Sequence, residues 1–149
     1  MHFLTSCKDI FIIVKRYFQF QPKNTSMTSQ ELTIYYNPSC SKSKETLQIL
    51  ENHKFSPRII NYLETPPSAL EIAEIVKKLG LAPIDLLRTT EKLYIDAKYQ
   101  AELMTDEEII KAIAKNPSLL QRPIVICGNK AIIGRPPIKV MDIIFKELV

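Results

Sequence analysis

A chain of 149 residues with no Trp, three Gly and ten Pro can bury the core of one domain and is too glycine-poor for a turn-rich all-β design. Its net charge of +4 is lopsided: residues 1–26 carry four bases against one acid, and the rest sixteen against fifteen. The near-neutral body lacks the basic face that nucleic acid selects, and three scattered cysteines exclude a disulfide framework.

Residues 1–26 differ from the rest. The apolar run Ile10–Val14 is far shorter than the roughly 20 residues that span a bilayer. Lys15-Arg16 follow at once, and no small-residue cleavage site marks a signal peptide. Met27-Thr28-Ser29-Gln30 reads as a protein start. The expectation is an upstream extension over 1–26, outside the fold, with a domain over 27–149. A short membrane-surface or targeting helix is the alternative.

Glu31–Tyr36 is rich in β formers and reads as the first strand. Asn37-Pro38 turns the chain. A helix follows to about Asn52, with Ser39 or Ser41 as its cap and Leu47, Ile49 and Leu50 as its apolar face. Pro57–Tyr62 reads as a second strand, so the unit is β-α-β with parallel pairing. Ser68 and Glu71 form a capping box for a helix over Ala69–Leu79. There Leu70, Ile72, Ala73, Ile75, Val76 and Leu79 supply a helical period, and Gly80 a left-handed stop. Pro83–Leu87 reads as a short helix leading to Arg88. Thr105 and Glu108 box a further helix that stops at Asn116-Pro117. Ile124–Cys127 and Lys130–Gly134 flank a Gly128-Asn129 hairpin turn. Arg135-Pro136-Pro137 opens a last helix, Ile138 to about Leu148. The order predicts an α/β fold: a four-stranded mixed sheet flanked by helices. This is the thioredoxin-like plan, with a helical insertion between the N-terminal β-α-β and the C-terminal β-hairpin-α.

Cys40 stands at the start of the first helix, where unpaired N–H groups and the helix dipole favour negative charge and a thiol ionises more easily. A buried structural cysteine would have apolar neighbours; here they are Asn37, Ser39, Ser41, Lys42, Ser43 and Lys44. Cys127, inside an apolar strand, reads as core. Ser43 occupies the place where a dithiol oxidoreductase has its second cysteine, so an oxidised Cys40 needs an outside thiol. Ser43 itself either donates to a thiolate or oxyanion, or is a plain helix-start serine. No Cys-x-x-Cys exists and neither His lies at metal-ligand spacing, so no metal is expected. Free cysteines point to a reducing, cytoplasmic setting. Arg88, Arg122 and Arg135 each stand beside a structure break. Singly they are ordinary loop arginines; together, with a helix N-terminus, their guanidinium forks suit a tetrahedral oxyanion.

Asn37-Pro38-Ser39-Cys40-Ser41-Lys42-Ser43-Lys44-Glu45-Thr46, Tyr62-Leu63-Glu64-Thr65-Pro66, Leu86-Leu87-Arg88, Asn116-Pro117, Arg122-Pro123-Ile124-Val125 and Gly134-Arg135-Pro136-Pro137, in that order over about 31–148, resemble the glutaredoxin-dependent arsenate reductases of bacteria. The resemblance implies a thioredoxin-like fold and reduction of arsenate to arsenite, with glutathione as co-substrate, glutaredoxin as partner and no bound cofactor. It implies that Cys40 is the nucleophile, that Arg88, Arg122 and Arg135 bind the oxyanion, and that Pro123 is cis. Two positions depart from the best-known members. Tyr36 replaces a His thought to lower the cysteine pKa, and Ser41 replaces a Gly; Lys42 stands where it can restore the lost positive charge.

Two other readings compete. One is a regulator like the Spx family, which shares the fold and binds RNA polymerase. It would normally carry Cys-x-x-Cys and lack Gly-Arg-Pro-Pro, so Ser43 and Arg135 speak for an enzyme. The other is a glutathione-dependent reductase of a different substrate.

Overall fold

The computed structural model describes residues 32–96 and 101–148. The expected extension over 1–26 lies outside the described residues. Strands β1 (Leu32–Tyr36), β2 (Arg58–Asn61), β3 (Ile124–Cys127) and β4 (Lys130–Ile133) form one sheet in the order β2-β1-β3-β4. β1 and β2 are parallel, while β3 runs antiparallel to both β1 and β4. The sheet is therefore mixed, and the fold is the thioredoxin-like α/β plan.

Side chains alternate across each strand, and this alternation divides the core. Tyr35, Ile124 and Ala131 face one side, packed with Ile72 and Ile75 of helix α2 (Ala69–Leu79) and Ile109 and Ile113 of a later helix, α4 (Asp106–Lys115). Ile34, Val125 and Cys127 face the other, against Leu50 of helix α1 (Ser41–Asn52) and Val140, Met141 and Ile144 of helix α5 (Val140–Leu148). Cys127 is buried on that side, in keeping with a core role. Fully buried aliphatic side chains such as Ile34, Leu50 and Ile72 each contribute about 1.5–3 kcal/mol of transfer free energy.

Local signals set most boundaries. The Ser68–Glu71 and Thr105–Glu108 capping boxes both form, and Gly80 ends α2 at φ 64°. Leu70, counted above in the α2 period, is 80% exposed, and Ala73 also faces solvent. The buried stripe is the narrower Ile72–Ile75 row, with Val76 and Leu79 beside it. The Pro83–Leu86 turn is 3₁₀ rather than α. The last helix begins as a 3₁₀ turn at Pro137–Lys139 and becomes α-helical only at Val140. A short helix α3 (Lys92–Asp96) and a 3₁₀ turn at Ala101–Leu103 were not foreseen. No helix among the described residues is long and apolar enough to cross a membrane.

Candidate active site

Strand register gathers the chemistry at one end of the sheet. Tyr36 pairs with Asn61, Tyr35 with Ile124, and Ile124 with Ile133. The exits of β1, β2 and β4 and the entry of β3 therefore lie together. Cys40, Tyr62, Arg122 and Arg135 each stand one to four residues beyond those points.

The turn after β1 is built by Asn37, which is only 5% exposed. Its carbonyl accepts the Cys40 N–H at 3.0 Å, its Oδ1 accepts the Ser39 N–H at 2.8 Å, and its own N–H donates to Ser43 Oγ at 3.3 Å. This lock makes Cys40 itself the N-cap of α1, at φ −102° and ψ 120°. The expected caps, Ser39 and Ser41, do not serve: Ser39 lies in the turn and Ser41 is already helical.

An N-cap side chain normally accepts the N–H of the second or third helical residue, here Lys42 and Ser43. The Cys40 thiol makes no such cap bond, but an ionised sulfur gains both donors. Burial pushes the thiol pKa up. The Ser43 N–H, the Arg122 guanidinium, the Ser43 hydroxyl and the Lys42 N–H outweigh it and bring the pKa down from 9.0 to about 7. Lys42 thus acts on Cys40 through its backbone. Its ammonium lies 3.0 Å from Glu45, in an exposed ion pair along the helix. Ser43, fully buried, is an acceptor for Asn37 as well as a thiolate donor, which is more than a helix-start serine.

Arg122 enters β3 through a cis peptide bond to Pro123. Its Nη1 donates to the Tyr62 hydroxyl at 3.1 Å, and its buried Nε has no partner. Burial works against the guanidinium charge, but the Tyr62 bond and the Cys40 sulfur more than offset it, and the pKa is raised. Arg135 is tied to the same group: its Nε donates to the Arg122 carbonyl at 2.9 Å. The Arg135–Pro136 bond is also cis. Arg88 is held differently. Its backbone N–H donates to the Leu119 carbonyl at 2.8 Å, beside a Leu87–Leu120 bridge, and its guanidinium is paired with Glu91. The structure thus joins Cys40, Ser43 and Arg122, attaches Arg135 through a carbonyl, and places Arg88 in an ion pair of its own.

Sequence reasoning assigned no role to two residues of this cluster. Tyr62 is fully buried and holds Arg122. Thr46, also fully buried, packs where a Cβ on Gly134 would lie 2.8 Å from its Oγ1. Both stood inside motifs that carried the resemblance, yet neither has a local chemical signal. Among the described residues, no group of three or more His, Cys, Asp or Glu is placed to hold a metal ion.

A mixed four-stranded sheet with a thiol of lowered pKa at the first helix N-terminus, an arginine beside it and a Ser at the position of a second thiol defines a thioredoxin-like protein in which, among the described residues, Cys40 is the one cysteine that is not buried. The ArsC family model matches residues 35–143, and the chain belongs to the ArsC family. It is 39% identical over 117 residues to an Escherichia coli K12 protein, uncharacterized YfgD, covering 78% of this chain and 98% of that one. It is 44% identical over 112 residues to an arsenate reductase of Haemophilus influenzae, covering 74% and 97%. The solved structure of an arsenate reductase from Vibrio cholerae superposes with a TM-score of 0.72 at 41% identity, over 74% of this chain and 95% of that one.

Proposed function

We propose that this protein reduces arsenate to arsenite through a covalent Cys40 adduct that glutathione and glutaredoxin resolve. The observation that carries the reading is the Cys40 thiol at the α1 N-terminus beside Arg122, its pKa lowered to about 7. A thiolate is then abundant at neutral pH, next to donors that suit an anion. The family relatives named arsenate reductase support the choice of oxyanion.

In the proposed cycle the Cys40 thiolate attacks arsenic and a protonated oxygen leaves as water, forming an S–As(V) bond. Arg122 balances the oxyanion charge in a two-point contact, with Arg135 and Arg88 as further cations. Glutathione displaces a second oxygen as water. A glutaredoxin thiolate then attacks the glutathione sulfur. The S–As bond breaks with its electron pair left on arsenic, which becomes As(III), and the mixed disulfide of glutaredoxin and glutathione departs. Water finally displaces Cys40, releasing arsenite. Ser43, in the second-thiol position, is why the chain cannot complete this alone.

The test is arsenite formation by the purified protein with glutathione and glutaredoxin together, and with each omitted. Formation is expected only with both present. Equal arsenite formation without glutathione, or none in the complete mixture, contradicts the reading.

A further inference from the structure

We propose that Tyr62 is a positioning residue of the site: its buried hydroxyl holds the Arg122 guanidinium against Cys40. Tyr62 follows β2 directly, and its backbone is fixed on both sides. The Asn61 carbonyl accepts the Glu64 and Thr65 N–H groups at 3.0 and 2.9 Å, and Asn61 Oδ1 accepts the Leu63 N–H at 3.3 Å. The ring is fully buried in the core beneath the sheet end, among residues that include Tyr35, Ile72 and Leu86. A phenol so mounted is a rigid post. Its oxygen accepts Arg122 Nη1 at 3.1 Å across 60 residues of sequence.

Arg122 needs such a post. Its backbone is committed elsewhere, the carbonyl accepting Arg135 Nε, and its Nε is buried without a partner. A long side chain ordered by few contacts loses rotamer entropy, and a guanidinium free to swing would not stay beside the sulfur. The Tyr62 bond fixes one arm of the fork, at the sheet end where the β1 exit and the β3 entry bring Cys40 and Arg122 together. Tyr62 touches neither the thiol nor a substrate in this scheme; it acts through Arg122.

The test reads the pH profile of Cys40 alkylation by iodoacetamide, followed by peptide mass spectrometry. It contains no oxyanion, so its outcome is separate from that of the arsenate reading. Tyr62→Phe keeps the ring and removes the acceptor. It is expected to slow alkylation about fivefold at about pH 6.5 and to match the parent above about pH 10, where even an unperturbed thiol is largely ionised. In an Arg122→Ala background Tyr62→Phe is expected to have no further effect, because coupled residues are not additive. Arg122→Lys, which keeps the charge but exchanges the rigid planar fork for a compact ammonium on a flexible stem, is expected to shift the profile in the same direction and independently tests the fork. A purely structural Tyr62 would lower thermal stability and leave the profile unmoved. The proposal is overturned if Tyr62→Phe reproduces the parent profile, if its shift persists undiminished in the Arg122→Ala background, or if Arg122→Lys retains the parent midpoint.

Discussion

Gly134 lies so close to Thr46 that a Cβ on the glycine would stand 2.8 Å from Thr46 Oγ1, and 2.9 Å from Pro123 Cγ. The contact joins three pieces of the site. Thr46 belongs to the helix that begins at Cys40, Pro123 follows Arg122, and Gly134 precedes Arg135. The Gly134 N–H also donates to the Pro123 carbonyl at 2.9 Å. The glycine is therefore required by closeness: it lets the β4 exit press against α1. Gly134→Ala is expected to destabilise the fold by about 1–3 kcal/mol, the usual range for overpacking, measured by urea denaturation. Thr46→Ala added to it should recover part of the loss, since it removes the nearest clashing atom. Parent stability in Gly134→Ala would show that the contact is looser than described.

The Thr46 hydroxyl has no hydrogen-bond partner, which gives a second expectation of opposite sign. Replacing an unpaired buried hydroxyl by a methyl of similar shape is near neutral or stabilising. Thr46→Val is expected to hold or raise the denaturation midpoint. A loss above about 1 kcal/mol would reveal a partner for that hydroxyl.

Cys40 reactivity should follow its ionisation. The folded pKa is depressed, from 9.0 to about 7, so the thiolate is populated as pH rises through about 7 and fades as pH falls below it. Alkylation of Cys40 is expected to rise with a midpoint near that value and then level off. Ser43→Ala removes a hydroxyl that favours the thiolate and leaves the Asn37 N–H without its acceptor. Its midpoint should move upward, and stability should fall by about 1–3 kcal/mol. A parent midpoint near 9.0 would contradict the account of the helix start.

What the sequence revealed was what neighbours decide. The Ser68–Glu71 and Thr105–Glu108 boxes span three residues each, and Gly80 is a stop signal in itself; all three were legible. So was the β-α-β order, because each strand carries its own run of β formers. The helix at Lys92–Asp96 has no capping box to announce it. Leu70 counted as apolar although its angle on α2 turns it to solvent. The site divided along the same line. Cys40 and Ser43 were visible because the turn and helix start are local. Tyr62 was not, because its partner Arg122 is 60 residues away and only the sheet brings them together. The Lys42–Glu45 and Arg88–Glu91 pairs carry a local signal, an i,i+3 spacing on one helix or turn.

That spacing bears on the arginines. Arg122→Ala is expected to cost about 1.5–3 kcal/mol of oxyanion or transition-state binding, read as a fall of about 10- to 150-fold in kcat/KM for arsenate. Arg88 already holds Glu91, whose carboxylate competes with an oxyanion for the same guanidinium. Glu91→Gln, which weakens that pair, is expected to lower the KM for arsenate. An unchanged KM in Glu91→Gln would take Arg88 out of the binding group, and an unchanged kcat/KM in Arg122→Ala would remove the central arginine.

The most direct measurement compares the parent with Cys40→Ser. Each is supplied with glutathione, glutaredoxin, glutathione reductase and NADPH, and NADPH oxidation is followed with and without arsenate. The expected result is oxidation that rises with arsenate in the parent and stays at background in Cys40→Ser. Arsenate-independent oxidation in the parent, or equal arsenate-dependent turnover in both proteins, would contradict the assignment of Cys40 as the thiolate that reduces arsenate.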